Sequence, residues 1–236
     1  MNCLVVILDG YSFIFANTFL WWRENIKKLL HFPGTKRDMC YINTIAYTPH
    51  ALKAAFTFSF FKKTPQGPVV TNYVWDCVNV QVKVINLPID LPPLYRGVQT
   101  PKEWLDYFTP KKEEFEYWVK KYHNFVLKHG NAENLIVWYP VPDQAHHHFF
   151  CAIPDTETLE IALDWYDKSS KLALDLIEAF KPRKFLIMGD HGFVSDIHKI
   201  DDFICHLPET LALTNFLEPP KKITEVAFWL FKALKT

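Results

Sequence analysis

Six consecutive residues near the start of the chain, Cys3-Leu4-Val5-Val6-Ile7-Leu8, are apolar without a polar break and stop at Asp9-Gly10. An uninterrupted apolar run closed by a turn pair buries both of its faces, as a strand inside a parallel sheet does; a half-exposed strand would alternate. Comparable runs recur at 82–86, 135–139 and 185–189. Between and after them lie helical patterns. One covers 51–61 behind Pro49, one covers 111–129 and ends at Gly130, one covers 156–180 before Pro182, and one covers 223–234. Parallel strands cannot be joined by tight turns, so strands alternating with helices predict crossover connections. The expected fold class is therefore α/β, a three-layer sandwich with a mostly parallel central sheet and helices on both faces. The chain of 236 residues is long enough for one large domain of this kind. The proline-rich stretch 88–101 reads as an ordered, irregular loop within that domain, and no internal repeat or low-complexity segment interrupts it.

Composition removes several functional classes. Lys plus Arg equals Asp plus Glu at 26 each, so charge supplies no argument for a nucleic-acid polymer or an anionic membrane surface as partner. No uncharged apolar stretch approaches the ~20 residues that cross a bilayer. The five cysteines (Cys3, Cys40, Cys77, Cys151, Cys205) form no CxxC pair and no framework spacing. They read as reduced thiols, and with no signal-peptide pattern the expected location is cytoplasmic.

Three of the four apolar runs end in acidic or Asp/His clusters. Asp9 follows the first, Asp143 and His147 lie just past the third, and Asp190-His191 follows the fourth. Ligands of open α/β sheets bind outside the carboxyl ends of the strands, so these side chains can converge from distant positions. With His206 the set becomes three carboxylates and three imidazoles, a mixed N/O donor group for divalent ions such as Zn²⁺, with Mn²⁺ or Fe also compatible. Each piece alone has a plainer reading. Asp-Gly is ordinarily a turn, Asp-His-Gly a loop, His146-His147-His148 a solvated turn, and a lone His206 a structural histidine. Their common placement at strand ends is what argues for a site.

The same segments resemble the alkaline phosphatase superfamily, and within it the type I phosphodiesterase/nucleotide pyrophosphatase family. Asp9-Gly10 is similar to its opening metal ligand. The segment 43–52, Asn-Thr-Ile-Ala-Tyr-Thr-Pro-His-Ala-Leu, resembles the one that presents its nucleophilic Thr or Ser at a helix start. Trp75-Asp76, the run 82–88 and Pro92-Pro93 resemble a further stretch of these phosphodiesterases. The segment 142–150 is similar to their Asp-x-x-x-His element, Gly189-Asp190-His191-Gly192 to their Ser-Asp-His-Gly element, and 205–209 to a late His-x-Pro-Asp/Glu element.

The resemblance implies a single alkaline-phosphatase-like catalytic domain over 1–236 that hydrolyses small-molecule phosphate esters. One metal ion would sit on Asp9, Asp190, His191 and the nucleophile, and a second on Asp143, His147 and His206. Thr48, just before Pro49, is the implied nucleophile, with Thr44 and Ser12 as rivals, and His198 is the alternative to His206. Two departures stand out: Thr57-Phe58 replaces a helix-closing Thr-Gly, and Gly189 replaces the serine before the aspartate. The short 191–206 segment implies no large inserted cap, and the absence of Cys-x-Pro-x-Arg argues against a formylglycine sulfatase. A phosphotransferase or mutase on the same metals would need an arginine-rich second phosphate pocket, yet only Arg23, Arg37, Arg96 and Arg183 are present. A binding protein on this fold would be expected to have lost ligands, and all six are kept. Tyr11, Trp75 and Tyr95 are candidates for stacking against a base or apolar leaving group.

Overall fold

The computed structural model describes residues 1–44, 48–57, 63–64, 67–68, 73–78, 80–89, 93–104, 107, 110–149, 156–193 and 206–236. The four apolar runs are strands: β1 (Cys3–Leu8), β3 (Lys83–Leu87), β5 (Asn134–Tyr139) and β6 (Lys184–Met188). They pair in parallel as β6-β1-β5-β3, with β1 central and in register with both neighbours from Cys3 onward. Three further strands complete a seven-stranded sheet: β2 (Lys36–Tyr41), β4 (Leu94–Arg96) and β7 (Glu209–Thr214), in the order β2-β7-β6-β1-β5-β3-β4. β7 runs antiparallel to both β6 and β2, so β2 points the same way as the central four; β4 runs antiparallel to β3. The sheet is thus mostly parallel, with its reversed strands at β7 and β4.

Alternate residues of β1 feed two separate cores. Cys3, Val5 and Ile7 pack toward α2 (Thr48–Phe56) and α6 (Val226–Lys235). Leu4, Val6 and Leu8 pack with α1 (Glu24–Leu30), α3 (Phe115–His129) and α5 (Thr156–Phe180). That two-sided burial is why β1 reads as one continuous apolar run. Removing a buried β1 side chain would therefore cost a core of its own, about 2–5 kcal/mol for Leu→Ala. No described helix is long and apolar enough to cross a membrane.

The helices expected over 156–180, 111–129 and 223–234 are present, the last two opening with short 3-10 turns at Lys112–Glu114 and Ile223–Glu225. The helix expected over 51–61 begins earlier, at Thr48, and ends at Phe56; 58–61 lie outside the described residues. The proline-rich stretch is not wholly irregular: Leu94–Arg96 forms edge strand β4, across a register shift in β3 where Asn86 takes φ 59°.

The polarity of the sheet positions everything that follows. The carboxyl ends of β1, β5 and β6 lie along one edge. β2 ends on that edge too, and antiparallel β7 begins there. Segments that leave or enter these strands therefore meet although they are far apart in sequence.

Candidate metal centre

Asp9 directly follows β1, and its position is set by backbone bonds. Its N–H donates to Tyr139 O (3.0 Å), and its carbonyl accepts from Asp143 N–H (2.9 Å). Gly10 makes the crossing possible. Its φ is +72°, and a Cβ there would lie 2.8 Å from Asp143 Cβ, so only glycine lets the two segments touch. After β5 the chain turns into a short helix, α4 (Asp143–Phe149), so His146-His147-His148 is helical and not a solvated turn. Helical spacing puts Asp143 and His147 one turn apart on one face, and His147 Nε2 lies 3.2 Å from Asp143 Oδ2. His206, on a two-residue strand paired with Gly192–Phe193, brings Nε2 to 3.7 Å from Asp143 Oδ1.

On the other side, Asp190 Oδ1 accepts from Gly10 N–H at 3.3 Å. His191 Nδ1 donates to Gly192 O (3.0 Å), which aims Nε2 at Asp9 Oδ1, 3.2 Å away. The Thr48 hydroxyl, at the start of α2, donates to Asp9 Oδ1 (3.1 Å) and lies 3.1 Å from His191 Nε2. The His191 and His206 rings stack at 3.9 Å between centroids. The side chains therefore gather as two adjoining triads, Asp9/Asp190/His191 and Asp143/His147/His206, and within each the ligand atoms lie within 4.8 Å of one another.

The electrostatics fit a cation. Asp9, Asp190 and His191 are buried to 2% exposure or less. Burial, with the Asp190 and Asp143 carboxylates beside it, pushes the Asp9 carboxyl well above the usual range. Burial works against a charged His191 ring, but Asp190 and Asp9 outweigh it and raise its pKa to about 10. Burial would raise Asp143 as well; the His147 bond and the nearby imidazoles hold it below the ordinary carboxylate range. Asp190 Oδ2 and Asp143 Oδ1 are buried and accept no hydrogen bond from the described residues. A buried carboxylate oxygen is expensive to leave unpaired, and a divalent ion held by mixed N and O donors is the partner that fits both. Asp9, Asp190, His191 and the Thr48 hydroxyl could hold one such ion; Asp143, His147 and His206 could hold another.

The remaining sequence candidates fall elsewhere. The Ser12 hydroxyl, a rival nucleophile, is spent on Glu209, and Thr44 sits four positions ahead of Thr48 with 45–47 outside the described residues. His198 also lies outside them. Tyr11 and Trp75 are core residues, at 0% and 1% exposure, so neither is a stacking platform. His146 packs against Tyr166 and Phe193, with burial lowering its pKa to about 4, and His148 bonds Pro110 O at 2.7 Å.

The glycine that stands where a serine was expected has a steric cause. A Cβ on Gly189 would lie 2.1 Å from Thr210 Oγ1 and 3.0 Å from Tyr11 O. Thr210 uses that space to donate to Tyr11 O at 2.8 Å. Gly189→Ala is therefore expected to cost roughly 2–3 kcal/mol by overpacking. Thermal melts should show part of the loss recovered by adding Thr210→Ala, which removes the clashing oxygen; an unchanged melting temperature in Gly189→Ala would contradict the packing described.

The mostly parallel seven-stranded sheet between two helical layers is an alkaline-phosphatase-like fold. Among solved structures, the C-terminal periplasmic domain of phosphoethanolamine transferase EptC from Campylobacter jejuni matches with a TM-score of 0.58 and 10% identity over 99% of this chain and 88% of that one. Murine ectonucleotide pyrophosphatase/phosphodiesterase 5, solved as an inactive variant in complex with AMP, matches at 0.51 and 11% over 99% and 94%. A variant of TAB5 alkaline phosphatase with Mg bound matches at 0.50 and 11% over 99% and 97%. At these identities the likeness is one of fold. No family model matches the chain, and no curated protein matches it by sequence.

Proposed function

We propose that the chain is a metal-dependent phosphoester hydrolase, of phosphodiesterase or nucleotide pyrophosphatase type, with Thr48 as nucleophile. One observation carries the reading: a hydroxyl at a helix start lies 3.1 Å from both Asp9 Oδ1 and His191 Nε2, at the edge of two adjoining Asp/His triads. The metals the triads would hold, Zn²⁺ being the ion the donor set suits best, supply charge that favours the alkoxide and offsets negative charge developing on the phosphoryl oxygens.

The residues do the rest. Thr48 Oγ1 attacks phosphorus, its proton having Asp9 Oδ1 as acceptor, and the ester oxygen leaves. Water then cleaves the phosphothreonine and returns the hydroxyl. Gly192 O fixes the His191 ring so that Nε2 faces the reacting oxygen. The backbone bonds between Asp9, Tyr139 and Asp143 hold the two triads at a set spacing. Water rather than a second phosphate ester is the supported acceptor. Arg23 is paired with Glu160, Arg37 with Leu30 O and Arg96 with Asp76, and Arg183 precedes β6 at the far edge of the sheet.

The test uses purified full-length chain with Zn²⁺ or Mn²⁺ and two chromogenic substrates, bis-p-nitrophenyl phosphate and p-nitrophenyl phosphate. The diester is expected to turn over, and Asp190→Ala to abolish the turnover. If Asp190→Ala hydrolyses either ester as fast as the parent chain, the site is wrong.

A further inference from the structure

Glu209 opens β7 and is 4% exposed, yet no lysine or arginine neutralises it among the ion pairs of the described residues. Its partners are the start of the segment that leaves the Asp9 turn. One carboxylate oxygen accepts from the Ser12 hydroxyl, and the other accepts from Phe13 N–H at 2.9 Å. The Ser12 oxygen in turn accepts from Phe15 N–H at 3.1 Å, capping the helical stretch that begins there. The segment behind His191 presses on the same carboxylate: a Cβ on Gly192 would lie 2.7 Å from Glu209 Oε1 and 2.9 Å from Glu209 O. Gly192–Phe193 also pairs with His206–Leu207, just ahead of Glu209 in the chain. One buried side chain thus touches the segments that carry Asp9 and Asp190-His191, and its own strand is entered through His206.

A buried carboxylate is a poor way to gain stability, because an apolar side chain of like volume fills such a space without the cost of desolvating a charge. Its value lies in direction: two bonds fix the Ser12–Phe13 segment, and Gly192 is packed so close to the same carboxylate that a Cβ would not fit. We propose that Glu209, acting with Ser12, is a positioning residue that clamps the three ligand-bearing segments into register. The consequence for metal binding rests on the hydrolase reading above; the clamp itself does not.

Two measurements on the full-length chain test it, with Val137→Ala, a buried substitution in the middle of β5, as a control for general destabilisation. In metal-free protein, hydrogen exchange of the amides at 10–16 and 189–193 is expected to speed up together, by about tenfold or more, in Glu209→Ala but not in Val137→Ala. Zn²⁺ affinity, read by competition with a chromogenic chelator, is expected to fall about 10- to 100-fold in Glu209→Ala. Glu209→Gln should recover most of both, since its amide can accept from Phe13 N–H and donate to the Ser12 oxygen. If the two segments open no faster than in Val137→Ala, or only one of them opens, Glu209 is a local cap and the clamp is refuted. If the parent chain binds no Zn²⁺, the hydrolase reading falls, and the exchange comparison still decides the clamp.

Discussion

Thr48→Ala is expected to lower phosphoester turnover on the order of 10⁴-fold while leaving Zn²⁺ affinity within about tenfold of the parent chain. The hydroxyl touches Asp9 and His191 but anchors neither. Asp9 is set by bonds to Tyr139 and Asp143, and His191 by its bond to Gly192 O. Alanine also suits the first turn of α2, so the fold should survive. A loss of this size with the metal retained would mean that Asp9, Asp190 and His191 hold the ion without the hydroxyl, whose contribution is to the chemistry. Thr48→Ser, which keeps the attacking oxygen, should retain measurable turnover and trap label from a radioactive phosphoester on position 48. Turnover in Thr48→Ala close to that of the parent would remove Thr48 from the chemistry and return Thr44 to consideration.

The second large effect concerns pH. Metal-free protein should lose stability as pH rises from about 6.5 to 9, by up to about 3 kcal/mol. His191 is held protonated to a pKa of about 10 by the surrounding carboxylates, while in the unfolded chain it titrates near 6.5. The folded state therefore binds the extra proton across this interval. That contribution is complete below 6.5 and disappears toward 10. Asp9, raised by burial and its carboxylate neighbours, acts with the same sign from lower pH upward. Other titrations flank this window. Below it His146, lowered to about 4, works in the opposite direction; above it the Cys3 and Cys40 thiols, raised to about 12 by burial, add their own decline. Added Zn²⁺ should reverse the trend, because binding displaces the site's protons and apparent affinity climbs with pH. Melting temperatures of metal-free parent and His191→Gln across pH 6.5–9 check this. A flat or rising profile for the parent, or an equal slope in His191→Gln, would show that the triads do not hold a proton in this way.

Much of the fold was legible because burial on both faces writes an unbroken apolar run. β1, β5 and β6 carry that signature; β3 carries it only in part, broken by Lys83 and Asn86, and α3 and α5 were legible from helical periodicity instead. β2 was not legible: Lys36-Arg37-Asp38 begins an edge strand whose outer face meets water, and only Cys40 is fully buried. β7 hid for another reason. All six residues of Glu209–Thr214 are buried, but three of them are Glu or Thr whose polar atoms are bonded inside. A polar residue read alone looks exposed, and its partners Ser12 and Tyr11 O stand nearly the whole chain away. The six Asp and His candidates were readable from their strand-end placement and their order, and the structure gathers them into two triads. What sequence could not supply was orientation. That Asp143 and His147 share a helix turn, that Gly192 O sets the His191 ring, and that Gly189 yields its space to Thr210 all depend on contacts between distant segments.

The position of β7 also has a bearing on how the molecule is made. The strand slots between β2 and β6, and its carboxylate reaches back across 197 positions to Ser12. While a ribosome is still adding the stretch before it, the growing polypeptide has Asp9 and Asp143 in hand but neither His206 nor Glu209. Any ion held by the second triad would therefore have to wait for the segment that carries His206. A nascent chain arrested before residue 206 should lack one donor of the second triad, however much of its parallel sheet has already formed.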